Sequence, residues 1–144
     1  MAQALEAARA AAAGGDAPIG AVLVDTDSGT VIATAGNRVE RDGDPTAHAE
    51  MLAIRAGAAA LGAKRLTGCD LYVTLEPCPM CAQAIALARI RRLYFGAFDP
   101  KGGGVDHGAR IFDQPTCNHR PEVIGGVMER ACGELLRDFF AARR

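Results

Sequence analysis

Residues 71–81 read Leu-Tyr-Val-Thr-Leu-Glu-Pro-Cys-Pro-Met-Cys, an apolar strand running straight into a Pro-Cys-x-x-Cys turn. Upstream stands Pro45-Thr-Ala-His-Ala-Glu50, with a histidine and a carboxylate two positions apart. Cys78 and Cys81 are three apart where a helix begins, so their sulfurs project from one side of its first turn. The unpaired N–H groups and positive dipole end at that place favour thiolate over thiol. His48, at the start of the preceding helix, offers a third ligand from another direction. Three such ligands leave one corner of a tetrahedron for water, which is the catalytic rather than the structural pattern for zinc.

Glu50 diverges from His48 by about 200° around a helix, so it is free to approach the open corner from the side. Zinc lowers the pKa of a bound water from about 15.7 toward 7, and a neighbouring carboxylate can move the released proton. His-x-Glu by itself is common. Pro-Cys-x-x-Cys arises by chance on the order of 10⁻⁵ per start position, so the combination is specific. A closed structural zinc site would need a fourth ligand from Cys69, Cys117, His107 or His119, and none has paired spacing. A redox Cys-x-x-Cys would leave His48 and Glu50 without a role.

The chain has 144 residues, enough for one domain with a single sizeable core, and residues 1–144 are expected to form one. No apolar run approaches the roughly eighteen residues that span a bilayer. Glu6 and Arg9 interrupt the alanine-rich start, which argues against a signal peptide and for a cytoplasmic location. Five cysteines in such a chain argue against a disulfide framework; Cys69, Cys117 and Cys132 are expected to be reduced, structural thiols. The net charge of −1 hides an asymmetry. Residues 1–88 carry six Lys/Arg against ten Asp/Glu, a net −4, whereas residues 89–144 carry ten against seven, a net +3. That distribution is compatible with a basic face toward phosphates, and equally with a mixed solvated surface.

Along the chain, residues 2–13 are nearly all alanine and predict a helix ended by Gly14-Gly15. Residues 19–24 and 30–34 predict an antiparallel hairpin across a turn-rich 25–29. A polar loop over 37–46 leads to a helix from His48 to about Leu61. Strand 70–75, helix 80–89 and strand 92–96 follow with short joints, so the two strands should pair in parallel. Residues 100–104 and 114–121 read as loops with an apolar piece, Ile111-Phe112, between them. Residues 122–124 suggest a fifth strand, and a last helix starts near Val127. The expected architecture is α/β: a mixed sheet of about five strands flanked by helices.

H-x-E followed by P-C-x-x-C is the established signature of zinc-dependent nucleobase deaminases. Over nearly its whole length the sequence resembles the cytidine-deaminase-like superfamily, and within it the bacterial tRNA-specific adenosine deaminases. The metal motif marks only the superfamily. More specific are Gly36-Asn37-Arg38, Asp44-Pro-Thr-Ala-His-Ala-Glu50, Thr74-Leu-Glu-Pro-Cys78, Phe95-Gly-Ala-Phe-Asp-Pro-Lys101, Pro115-Thr-Cys-Asn-His-Arg120 and the terminal Asp138-Phe-Phe140. The resemblance implies a three-layer α/β/α fold, one Zn²⁺ per subunit held by His48, Cys78 and Cys81, and a homodimer with each site near the subunit interface. It implies hydrolysis of the wobble adenosine of a tRNA anticodon to inosine, with zinc-bound hydroxide attacking C6 and Glu50 shuttling protons.

Carried over in the same way, Asn37 touches the purine edge, the Ala49 N–H steadies the oxygen at C6, and Leu75 and Pro77 line the pocket. Asp99, Lys101, Asn118, His119, Arg120, Phe139, Phe140, Arg143 and Arg144 match substrate-handling regions, since an extruded base requires a grip on its flanking nucleotides. Plainer roles compete. Phe139 lies in a helical column that suggests core, with Phe140 at its edge. Lys101 and the terminal arginines read equally as solvated charges, and His119 as a loop hydrogen-bonder. Phe98 stands where family members often carry a polar or basic residue. Two other readings stay open: a zinc deaminase of a free base, nucleoside or nucleotide of guanine or cytosine type, and a non-catalytic zinc-containing subunit, against which Glu50 speaks.

Overall fold

The computed structural model describes all residues 1–144. Helix α1 (Ala2–Ala13) ends at Gly14-Gly15 as its composition predicts. Strands β1 (Gly20–Asp25) and β2 (Val31–Gly36) form the antiparallel hairpin, with a register shift between Leu23 and Val24. The stretch expected to be a plain polar loop holds a one-turn helix, α2 (Val39–Asp42). Its exposed amides find an acceptor outside the segment: the N–H groups of Glu40 and Arg41 donate to the carboxylate of fully buried Asp16 at 2.8 and 3.2 Å. An N-terminal helix end left without acceptors is costly, and local sequence does not show that Asp16 supplies one.

Helix α3 (Ala49–Leu61) follows, with His48 as its N-cap in extended conformation (φ −73°, ψ 149°) and left-handed Gly62 closing it. Strand β3 (Cys69–Leu75) leads to α4 (Pro79–Leu87), which takes Pro79 in its first turn, where a missing N–H costs nothing. Strand β4 (Arg92–Ala97), a 3₁₀ turn at Ile111–Asp113 where the apolar piece falls, and β5 (Glu122–Ile124) complete the sheet. Helix α5 (Glu129–Ala141) starts two residues later than expected, because Met128 adopts a left-handed conformation (φ 52°) that redirects the chain.

Strand order is β2-β1-β3-β4-β5, antiparallel on either side of β1 and parallel from β3 to β5. Alternation divides the side chains between two layers. Leu23, Leu71, Val73, Leu93 and Phe95 join Ala49 and Ala53 of α3 and Ala82 and Ile85 of α4 in the main core. On the opposite face, α1 lies so close to the hairpin that a Cβ at Gly20 would strike the Ala4 carbonyl, and Cys132 of α5 fills the space above Gly96. The layers are therefore α/β/α. No helix is long and apolar enough to cross a membrane.

Candidate active site

The parallel strands β3 and β4 both run to one end of the sheet, and α3 and α4 pack side by side with their N-termini at that end. His48 caps α3, Cys78 caps α4 with extended backbone (φ −68°, ψ 170°), and Cys81 lies one turn further on. His48 Nδ1 stands 3.5 Å from both sulfurs. Their ligand atoms all lie within 4.8 Å of one another, and they form the one group of three or more metal-ligating side chains in the molecule. Cys69, Cys117, His107 and His119 are not part of it, so the group offers three protein ligands. Cys69, Cys117 and Cys132 are free thiols.

The trio fits zinc. Tetrahedral bonds of about 2.3 Å to sulfur and 2.0–2.1 Å to nitrogen place S and N about 3.6 Å apart, essentially the spacing found. The three side chains are also tightly coupled. A hydrogen bond from Cys81 draws Cys78 down to about 4. Cys81, facing that thiolate and buried, is pushed far up. His48 is raised by its hydrogen bond to Cys78. Without a metal the three side chains share protons through these hydrogen bonds, and a divalent cation would bind by displacing those protons.

Glu50 sits on the first turn of α3, 4% exposed, and burial pushes its carboxyl up to about 7. It therefore holds or releases a proton near neutrality, as a general acid/base must. Asn37 is 7% exposed; its backbone N–H donates to Ile19 O, while its side-chain Oδ1 has no partner. It is the one buried side-chain polar atom so stranded, and burying an amide without a partner is unfavourable. Such an atom suits a ligand that brings its own donor. Ala49 is buried, and its N–H belongs to the first turn of α3, where amides lack helical acceptors. Pro77 is buried and Leu75 half-buried just before Cys78.

Leu75 also borders a cleft of about 820 Å³ between the end of β4 and α5, lined by Phe98, Asp99, Lys101, Arg137, Phe140, Arg143 and Arg144 among others. Six of the expected substrate residues converge there. None of the four cations in the cleft is ion-paired: every salt bridge in the structure involves other residues. Asp99 is partly engaged within its own turn, its Oδ1 accepting the N–H groups of Lys101 and Gly102. Phe140 is 49% exposed, whereas Phe139 is half-buried, edge-on to Phe140 and covered by the Arg143 guanidinium 3.4 Å above its ring.

Asn118, His119 and Arg120 are not brought to that cleft. His119 Nε2 pairs with the Ile90 carbonyl at 2.7 Å, at the opposite end of β4, and Arg120 pairs with Asp113. The structure also reveals a residue that motif reading passed over. Glu76, between β3 and Pro77, has no exposed side-chain surface and ties down the loop of residues 99–107. The available signal was an acid at the end of an otherwise apolar strand.

A profile of the cytidine and deoxycytidylate deaminase zinc-binding region matches residues 1–97. The tRNA-specific adenosine deaminase of Agrobacterium fabrum is 56% identical over all of this chain and 93% of its own, and that of Bacillus subtilis 47% identical over 100% and 88%. A structure solved in work on A-to-I editing by tRNA:A34 deaminases superposes with a TM-score of 0.91 at 57% identity, covering 94% of this chain and 97% of that one. The guanine deaminase of Nitrosomonas europaea is more distant, with a TM-score of 0.84 at 27% identity over 97% and 82% of the chains. The chain belongs to the zinc-binding cytidine and deoxycytidylate deaminase family, and within it to the group of the tRNA-specific adenosine deaminases.

Proposed function

We propose that the protein hydrolyses the 6-amino group of the wobble adenosine in a tRNA anticodon, yielding inosine and ammonia. The observation that carries this reading is the cleft beside Leu75, where Lys101, Arg137, Arg143 and Arg144 stand without carboxylate partners next to exposed Phe98 and Phe140. Cations track a phosphate backbone, and exposed rings stack on unpaired bases. A free base brings neither need. The full-length identity to tRNA-specific adenosine deaminases supports the same substrate.

In this reading His48, Cys78 and Cys81 hold one Zn²⁺ per subunit. Bound there, zinc supplies Lewis acidity that makes a water molecule a nucleophile near neutral pH. Glu50 would take one proton from the attacking water and deliver it to N1 of the purine, then take the second from the new hydroxyl at C6 and deliver it to the departing amine, which leaves as ammonia. The stranded Oδ1 of Asn37 accepts from the purine edge, and the Ala49 N–H donates to the oxygen arriving at C6. Leu75 and Pro77 wall the base and limit water. Asp99, Lys101, Phe140, Arg143 and Arg144 grip flanking nucleotides, with Phe139 holding Arg143 in place. Asn118, His119 and Arg120, remote from this cleft, reach RNA only outside it. Residues 1–144 form one domain that works as a homodimer in the cytoplasm.

The test is inosine at the wobble position of an ACG-anticodon tRNA transcript incubated with zinc-loaded protein, with Glu50→Ala as the blank. Ammonia release from guanine, adenosine and cytidine runs in parallel. Inosine in the transcript alone upholds the proposal. Ammonia from a small molecule with the RNA untouched would transfer the same chemistry to a free-base deaminase, the reading favoured by the likeness to guanine deaminase.

A further inference from the structure

Nothing in the deamination chemistry uses Glu76, yet its carboxylate is the most heavily hydrogen-bonded in the molecule. Oε1 accepts the N–H groups of Val105 (3.3 Å), Asp106 (2.9 Å) and His107 (3.0 Å). Oε2 accepts the Asp99 N–H at 2.9 Å and lies 2.8 Å from His107 Nδ1. No lysine or arginine pairs with it. A buried carboxylate persists only where donors replace its water, and here they do. Burial alone would push its pKa up, but the Asp99 N–H, the His107 ring and the neighbouring amides outweigh that and hold it below the ordinary value.

All five donors come from one loop, so the carboxylate organises that loop as a bound anion would. The same loop is pressed onto the turn that carries Cys78. Gly103 and Gly104 are buried; a Cβ on Gly103 would run into the Glu76 carboxylate, and one on Gly104 into the Cys78–Pro79 backbone. The Gly104 N–H donates to the Pro77 carbonyl at 2.8 Å. Lys101, which has no ion-pair partner of its own, rides on this loop at the rim of the cleft.

We propose that Glu76 is a positioning residue: with His107 as its ring donor, it fixes the 99–107 loop against the Cys78 turn, so that Asp99 and Lys101 meet the flanking nucleotides in register with the metal ligands. The inference rests on the tRNA reading above. Glu76 acts through Lys101, which touches RNA and not the reacting atoms. Disturbing it therefore removes binding shared by ground and transition states, which raises KM and leaves kcat in place.

The experiment is steady-state deamination of the tRNA transcript, with zinc content measured on every variant. Glu76→Gln keeps the side-chain shape but turns one acceptor into a donor facing the Asp99 N–H and the His107 ring. It should raise KM about tenfold with kcat within about threefold of wild type and zinc unchanged. His107→Leu should give a smaller rise of the same kind. His107→Asn, whose amide N–H falls near Nδ1, should restore the wild-type value. Lys101→Ala should raise KM in the wild-type background and add little to Glu76→Gln, because residues acting through one contact are not additive. Wild-type KM in Glu76→Gln, additive effects with Lys101→Ala, or loss of kcat and zinc at constant KM would each overturn the proposal. If Glu76→Gln does not fold, the two His107 variants decide it: equal KM in both would overturn it. A wild-type protein that leaves the tRNA unmodified would sink the deamination reading and this inference with it.

Discussion

Two stretches enclose the candidate site and are held by different means. Residues 71–87 are strand, turn and helix, and each side chain they aim at the site is placed by its position in a regular element. Cys78 is a helix cap, and Cys81 lies one turn on. Residues 98–121 are almost wholly irregular, with one 3₁₀ turn, and the 99–107 part is shaped from outside by a carboxylate at the end of β3. Regular elements satisfy their own backbone groups. An irregular loop has to borrow acceptors, and the lender may sit anywhere in the chain. The side proposed to hold the metal should therefore fail all at once when perturbed, and the side proposed to face RNA by degrees.

Stripping the metal is the sharpest way to probe the first side. Dialysis against a chelator should abolish deamination, and added zinc should restore it, followed by activity together with metal content. Activity surviving at zero metal would break the comparison at its root. Glu50→Gln comes next: it preserves size but cannot cycle a proton, so kcat should fall by about 10²–10⁴ while zinc stays bound. Asn37→Ala removes the partner offered to the purine and should cost about 10–100-fold in kcat/KM, the value of one buried hydrogen bond. It should lower stability little, since Oδ1 has no protein partner.

On the side proposed to face RNA the expected effects are smaller. Glu76 has a depressed pKa in the folded state. Its contribution to stability is complete above the ordinary carboxylate value and is lost as pH falls through the lower folded one. Acid unfolding monitored by circular dichroism should thus be less steep below about pH 4.5 in Glu76→Gln than in wild type. Phe140→Ala, at a half-exposed position, should change stability by no more than about 0.5 kcal/mol, yet raise the KM for tRNA severalfold. An effect on kcat as large as that of Glu50→Gln would erase the distinction between the two sides.

The contrast also marks how far the sequence could be read. The His48, Cys78, Cys81 and Glu50 arrangement was legible because spacing along a helix start sets direction, and few other residues fit that pattern. The parallel β3–β4 pairing was legible because a short strand–helix–strand run has little choice of geometry. Helix α2 is not legible locally because its acceptor, Asp16, precedes the whole hairpin in the chain. Asn118, His119 and Arg120 shared a motif with substrate-handling residues, but the return of the chain to β5 carries them to the other end of β4.

What the sequence determined by itself was the local chemistry: which side chains can ligate a metal, which carboxylate stands beside them, and the period of each strand and helix. These follow from backbone geometry within a few residues. Tertiary structure alone decided that the metal-ligating side chains converge to spacings suited to zinc, that Leu75 meets Phe140 across one cleft, and that the 99–107 loop folds onto Glu76. Each of these depends on groups distant in the chain, brought together because burying the sheet between two helix layers leaves no other acceptor or partner within reach.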